Sequence, residues 1–189
     1  MGATAHSGIG PVDPIFQGPC PWSTLRRSGP LNECPATAKP HIPPIIRPLD
    51  PAQAHDLREW QRMRTALWTD QTEADWRAWL ARGGDAAVLV AARAPRPGLC
   101  GFIEVGERAF AEGCETSPVG SIEGWWVDPD SRRQGVGSEL MRAAEDWCRR
   151  RGLTELASDA KIGNDGSIRA HGACGFREVH RLVLFRKGL

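Results

Sequence analysis

The sequence predicts an α/β domain, a sheet flanked by helices. Two patterns carry that prediction. From Ile45 onward, apolar runs of strand length interchange with longer runs whose apolar residues recur at helical spacing. At the centre, an apolar segment ending in "GWWVDP" passes through the arginines and glycines of "SRRQGVG" straight into a helical pattern. Composition agrees: 189 residues, 41% hydrophobic and 25% charged, suffice for one sizeable core with length to spare.

Residues 1–44 hold nine of the fifteen prolines and no sustained apolar period. Such a stretch cannot bury enough surface to offset its ordering entropy, so a disordered or loosely attached extension is expected, with the domain spanning 45–189. "PIIRPL" (44–49) reads as a first strand. Asp50 offers an N-cap and Pro51 a first helical residue, and Ala54, Leu57, Trp60, Met63 and Leu67 continue at helical spacing to about Trp68. A second helix follows, with Asp70 and Glu73 as a capping-box variant, Trp76, Trp79 and Leu80 on its apolar face, and Gly83 and Gly84 ending it. "AAVLVAARA" (86–94) and "LCGFIEVGERA" (99–109) read as strands joined by the turn signal "PRPG". "SIEGWWVD" (121–128) is a third apolar strand. A helix then runs from about Gln134 to Arg151, with Val136, Leu140, Ala144 and Trp147 inward and Gly152 as terminator. "TELASDA" (154–160) reads as a strand, "DGSIRAHGAC" (165–174) as a short helix closed by Gly175, and "FREVHRLVLFRK" (176–187) alternates as a final strand.

Several function classes lose support. A formal net charge of +1 argues against bulk electrostatic binding of nucleic acid or an anionic membrane. No apolar run approaches the roughly 18 residues needed to cross a bilayer. The N-terminus lacks a charged start followed by an apolar core, so no secretory signal is expected. The cysteines at 20, 34, 100, 114, 148 and 174 form no C-x-x-C pair. Neither a metal site nor a disulfide framework is expected from them, and free thiols in a reducing cytoplasm are.

The junction Arg132, Arg133, Gln134, Gly135, Val136, Gly137 and Ser138 reads as an anion cradle. The first amides of a helix have no internal partners and face outward at the positive end of its dipole. Glycine lets an anion approach that backbone closely. The spacing fits neither a P-loop nor a dinucleotide fingerprint. R-x-x-G-x-G after "WWVDP" resembles the acyl-CoA-binding motif of the GCN5-related N-acetyltransferases (GNAT). Asn164, Ser167, His171, Gly175 and Phe176 match that superfamily's downstream segment, with histidine in place of its usual tyrosine. The resemblance implies a GNAT fold, with about six to seven strands in a mixed sheet and about four helices. It implies acetyl-CoA as co-substrate, with Trp125, Trp126 and Val127 at the cofactor and backbone contacts from Trp125 and Val127 beside its pantetheine arm. At least one of the neighbouring side chains Trp125 and Trp126 is expected in the core, since strand neighbours face opposite ways. By the same resemblance Arg133 to Ser138 hold the pyrophosphate, Arg132 opens the motif, and Asn164 binds farther along the cofactor.

The second substrate is foreshadowed by charge. Between Cys100 and Glu123 stand Glu104, Glu107, Glu112, Glu115 and Glu123 against the single base Arg108, whereas 132–151 holds six arginines against three acids. One stretch favours a cation and the other a polyanion. "ALWTD", "ETSPVGSIEGWWV", "TELASDA" and "FREVHRLVLFRK" resemble the aminoglycoside 6'-N-acetyltransferases, a likeness covering nearly all of 45–189. It implies polycationic aminosugar substrates such as kanamycin or tobramycin, bound by Trp68, Phe110, Glu123, Asp159 and Glu178. His180 replaces an acid that relatives carry near that last residue, and Phe110 a tyrosine. Carboxylates suit ammonium groups, and aromatic faces suit sugar rings and cations. Asp159, then Glu123, is the expected general base. His171 stands where the superfamily places its acid for the leaving thiolate. No cysteine sits beside a plausible base, so direct transfer is expected. Relatives imply a homodimer, with the apolar last strand available to pair between subunits. Other readings are acetylation of a polyamine or protein N-terminus, and a non-catalytic acetyl-CoA-binding module.

Overall fold

A computed structural model describes residues 43–93 and 95–188. The extension expected over 1–44 lies outside the described residues except for Pro43 and Pro44. Strand β1 (Ile45–Pro48) leads to helices α1 (Ala54–Leu67) and α2 (Glu73–Leu80). Strands β2 (Ala86–Ala92), β3 (Leu99–Arg108) and β4 (Val119–Val127) follow, then α3 (Val136–Arg150), β5 (Leu156–Ser158) and α4 (Asp165–Ala173). The strands form one mixed sheet in the order β1-β2-β3-β4-β5, antiparallel except for the parallel β4–β5 pair.

Helix α3 forms as its spacing predicts. Val136, Leu140, Met141, Ala144 and Cys148 are buried along one stripe, Arg149 and Arg150 occupy the last turn, and Gly152 at φ 75° follows the end. Two helix starts differ from expectation by a few residues. Asp50 Oδ1 does accept the Ala52 N–H at 3.0 Å, but this makes a turn, and α1 begins only at Ala54. The box at α2 uses Thr72 and Asp75 instead of Asp70 and Glu73: the Asp75 carboxylate accepts the Thr72 N–H and hydroxyl, each at 2.7 Å.

The expected final strand does not form. Residues 176–187 take no strand conformation, and Val183, Leu184 and Phe185 are 73%, 90% and 93% exposed. Alternation describes one strand's two faces and says nothing about a ladder partner. The neighbouring β5 is only three residues long. Among the described residues the sheet therefore has five strands, not six to seven.

The sheet buries both faces. Toward α3 it presents Leu89, Ala91, Ile103, Val105 and Ile122, packed on Val136, Leu140, Met141 and Ala144. Toward α1 it presents Val88, Val90 and Phe102, packed on Trp60 and Met63.

Candidate active site

The site begins at an irregularity in β4. Glu104 pairs with Gly124 but Val105 with Ile122, so Glu123 is an extra residue in a bulge. On the other side, β4 pairs with β5 only from Gly120 to Ile122, and the last pair is Ile122 with Ser158. Beyond it β5 ends and β4 runs on to Val127 with that edge unpaired among the described residues, which is the fork of the site. The Asp128 N–H donates to Cys100 O on β3 at 2.8 Å. Strand amides alternate, so the Trp126 amide also faces β3, while those of Trp125 and Val127 face the open side. These are the two residues expected to line the pantetheine arm.

Their side chains divide as expected. Trp125 turns toward α3, where a Cβ on Gly137 would stand 3.1 Å from its ring, and its buried Nε1 has no partner. Trp126 turns to the other face, donating Nε1 to Asp128 Oδ1 at 3.1 Å under the Arg132 guanidinium. Asp128 is itself buried, which works against ionisation, yet Arg62 and Trp126 hold its carboxyl below the usual range.

Gly135, at φ 79°, is the N-cap of α3. A side chain there would be strained, and its absence leaves the backbone open. Glu139 N–H is the first to bond back, to Gly135 O, leaving the amides of Val136, Gly137 and Ser138 without helical partners. Arg132 donates Nε to Val127 O at 2.9 Å and Gln134 donates to Asp130 O at 2.8 Å. Both therefore brace the turn, and exposed Arg133 is the cation beside it. Free helix amides, a left-handed glycine and the orphaned Trp125 Nε1 fit a pyrophosphate-bearing thioester such as acetyl-CoA.

Across the fork lie the acids. Both Glu123 oxygens accept from Arg108, Nε at 2.6 Å. This pairing, with Asp159 and Glu112 acting from farther off, raises the Arg108 pKa. Asp159 is exposed just past β5 and contributes to that rise. Trp68 lies against Gly124 so closely that a Cβ there has no room. Phe110 is 65% exposed beyond Arg108. Exposed Glu178 accepts from Arg181 Nε at 2.6 Å, and His180 nearby is exposed too.

One acid does not belong to the wall. Glu104 is 1% exposed beneath α1, accepts from Trp60 Nε1 at 3.0 Å and faces Arg64 Nη1 at 3.1 Å. Burial pushes its carboxyl up to about 7, against the opposing pull of Arg64 and Trp60. Burial likewise lowers the Arg64 pKa, and its guanidinium lies between Trp60 and Trp68, 5.1 and 4.9 Å from their rings.

Asn164, expected at the cofactor, caps α4: its side chain accepts the Ser167 N–H at 3.1 Å. That helix carries His171, whose Nε2 lies 2.8 Å from Ser158 Oγ and whose ring meets Trp125 and Phe176 edge-on. Burial pushes the Cys148 thiol up to about 11 and raises Cys100, Cys114 and Cys174 as well, so none of these four is an activated nucleophile. Sequence reasoning missed Ser158 and Arg64. It noted Arg108 only as a lone base, and that isolation among acids was the available signal of its role.

Free helix amides following β4 and a carboxylate at its bulge, beside an unpaired strand edge, are the arrangement of an acyl-CoA-dependent N-acetyltransferase. Residues 54–176 match the acetyltransferase (GNAT) family, and the chain belongs to it. It is 42% identical over 152 residues to the aminoglycoside N(6')-acetyltransferase type 1 of Klebsiella aerogenes, covering 77% of this chain and 97% of the relative. With the enzyme of the same description from Stenotrophomonas maltophilia it shares 38% identity, over 77% and 94% of the two chains. Its fold is similar to the crystal structure of aminoglycoside antibiotic 6'-N-acetyltransferase AAC(6')-IG from Acinetobacter haemolyticus, with TM-score 0.68, 35% identity, and 77% and 99% of the two chains covered. AAC(6')-Iy in complex with the bisubstrate analog CoA-S-monomethyl-acetylneamine gives TM-score 0.69 at 30% identity, over 77% and 99%.

Proposed function

We propose that this protein transfers the acetyl group of acetyl-CoA to the 6'-amine of aminoglycosides by direct attack in a ternary complex, and so confers resistance. The observation that carries the reading is the open edge of β4, with free helix amides at Val136–Ser138 after its end and, at its bulge, Glu123 paired with Arg108, whose pKa Asp159 and Glu112 also raise. The names and bound ligands of the relatives point to the same chemistry.

In this reading Val136, Gly137 and Ser138 hold the pyrophosphate, with Arg133 beside it and Arg132 and Gln134 fixing the turn. Trp125 and Val127 hydrogen-bond the pantetheine arm through their open-side backbone. Trp126 braces Arg132, and Asn164 positions α4 beside the cofactor. Trp68 and Phe110 take sugar faces, and Glu123, Asp159 and Glu178 take ammonium groups. Asp159 is the base that removes the first proton from the 6'-ammonium; Glu123, with both oxygens on Arg108, is the less available acceptor. The open-side Trp125 N–H, near Val127, polarises the carbonyl oxygen, a kind of contact worth about 3 kcal/mol. Juxtaposing both substrates contributes roughly 7–11 kcal/mol. The Asp159→Asn variant tests the base: turnover falls about 100-fold or more with acetyl-CoA affinity intact. A wild-type rate and pH profile would remove Asp159 from the role.

Two further features belong to the proposal. The exposed apolar residues Leu182, Val183, Leu184 and Phe185 favour a homodimer, since a patch of this kind is more often covered than left wet. Sedimentation showing only monomer at enzyme concentrations where turnover is full would refute it. Free Cys100, Cys114, Cys148 and Cys174 favour a cytoplasmic location.

A further inference from the structure

We propose that Ser158 and His171 form a proton shuttle that moves the second amine proton from the attacking nitrogen to the departing sulfur. The inference rests on the acetyl transfer proposed above and assigns Ser158, the last paired residue of β5, a part in it.

The argument starts from the imidazole tautomer. His171 Nδ1 lies 2.8 Å from the backbone oxygen of Ser167. A carbonyl only accepts, so Nδ1 carries the hydrogen. In neutral His171 the other nitrogen, Nε2, is therefore an acceptor, and the Ser158 hydroxyl at 2.8 Å donates to it. A resting His171 of this kind has no proton at Nε2 to give a thiolate. It must receive one first.

Position supplies the source. Ser158 closes the β4–β5 ladder, at the point where β5 ends and β4 runs on unpaired. The His171 ring spans the gap, touching Ser158 on β5 and, at a centroid distance of 5.3 Å, Trp125 on the open stretch of β4. With its hydrogen committed to Nε2, Ser158 Oγ has lone pairs free to accept. Ring orientation is fixed on both sides, by the Ser167 carbonyl and by edge contacts with Trp125 and Phe176.

The step balances without any outside acid. Once Asp159 has taken the first proton, the neutral amine attacks the thioester carbon, forming a C–N bond while the carbonyl π pair moves to oxygen. The nitrogen is now cationic. It passes a proton to Ser158 Oγ as the serine hydrogen moves to Nε2, leaving imidazolium. The oxyanion pair then reforms the carbonyl, the C–S bond breaks and the sulfur leaves as thiolate. Ser158 gives its hydrogen to sulfur and regains one from Nε2, restoring neutral His171. Nitrogen and sulfur are bonded to the same carbon in the intermediate, so one hydroxyl beside that carbon can serve both.

Wild type, Ser158→Ala, Ser158→Thr, His171→Gln and the Ser158→Ala/His171→Gln double variant are compared on kanamycin with acetyl-CoA. The shuttle predicts that Ser158→Ala lowers kcat about 100-fold, while the kanamycin KM and CoA affinity move less than about threefold. Ser158→Thr, which keeps the hydroxyl, restores most of the rate. The double variant falls no further than the worse single one, because both act on one proton. A second readout needs no turnover: nitrogen-15 shifts of the free protein show His171 protonated at Nδ1, with the Nε2 shift changed by Ser158→Ala. A Ser158→Ala enzyme with wild-type kcat overturns the shuttle and leaves acetyl transfer standing, and so does an Nε2-protonated neutral ring. A wild-type protein that binds CoA yet acetylates no amine overturns the acetyl-transfer reading instead.

Discussion

On one face of the sheet, α3 sets Leu140, Met141 and Ala144 against Ile103, Val105 and Ile122; on the other, α1 sets Trp60, Met63 and Arg64 against Phe102 and Glu104. The α3 face is aliphatic and supports the cradle at its own helix N-terminus. The α1 face buries a guanidinium and a carboxylate among indoles, directly behind Trp68 and the bulge at Glu123. An aliphatic core is stabilised by area and shape and tolerates conservative change. A buried ion pair depends on both partners being present, because either one alone is an uncompensated charge.

The largest expected effect separates these two kinds of interior. Arg64→Met strands the Glu104 carboxylate and costs roughly 3–5 kcal/mol above neutral pH. Adding Glu104→Gln, which still offers Trp60 Nε1 an acceptor, brings the double variant back to near wild-type stability. On the α3 face, Leu140→Ala costs about 2–5 kcal/mol, and no partner change of that kind repairs it. Denaturant titration of the four proteins measures all of this. Equal losses in the Arg64→Met single and the double would break the distinction.

The contrast also explains what could be read in the sequence. Helix α3, with its one apolar stripe and flanking glycines, was legible to within two residues at its start and one at its end. Strand β3 was legible as a strand, but its faces were not. "GFIEV" is buried on both sides, so a period of two could not tell that Glu104 pointed under α1 while Glu123 pointed toward the acids. Counting carboxylates along the chain assigned both to the same wall. The last segment failed for a different reason: residues 176–187 alternate like a strand, yet a ladder needs a neighbour, which alternation does not specify. The helix N-terminus at Gly135, with its free amides, was legible because helix-terminus chemistry is local. The Ser158–His171 pair was not, because its members come from β5 and α4 and meet only in the fold.

A smaller effect sharpens the comparison through pH. Burial raises the Glu104 carboxyl from the usual 4.5 to about 7, so the folded state holds a proton that the unfolded chain has lost across that window. Stability from this group is complete below the unfolded pKa and declines as pH rises toward the folded one, by at most about 1.4 kcal/mol per unit. Other groups add their own slopes, so the quantity to measure is wild type minus Glu104→Gln. That difference should fall as pH rises from 4.5 to about 7 and level off above it. A flat difference would mean that Arg64 keeps Glu104 ionised throughout, making the face a true ion pair.

The smallest effect concerns Asn164, where cap and cofactor roles diverge. As the N-cap of α4 it accepts the Ser167 N–H, and Asn164→Ala should cost about 1 kcal/mol and fray the turn that holds Ser167 against His171. Aspartate caps a helix as well as asparagine does. Asn164→Asp should therefore keep stability and, if the cap is the whole role, keep CoA affinity as well. A direct contact from the amide N–H to the cofactor behaves differently, because the carboxylate has no donor and repels the nearby phosphates. Thermal denaturation and CoA titration of the two variants separate the cases. Full affinity in Asn164→Asp makes Asn164 a positioning residue for α4, and a large loss at unchanged Tm restores it to the cofactor.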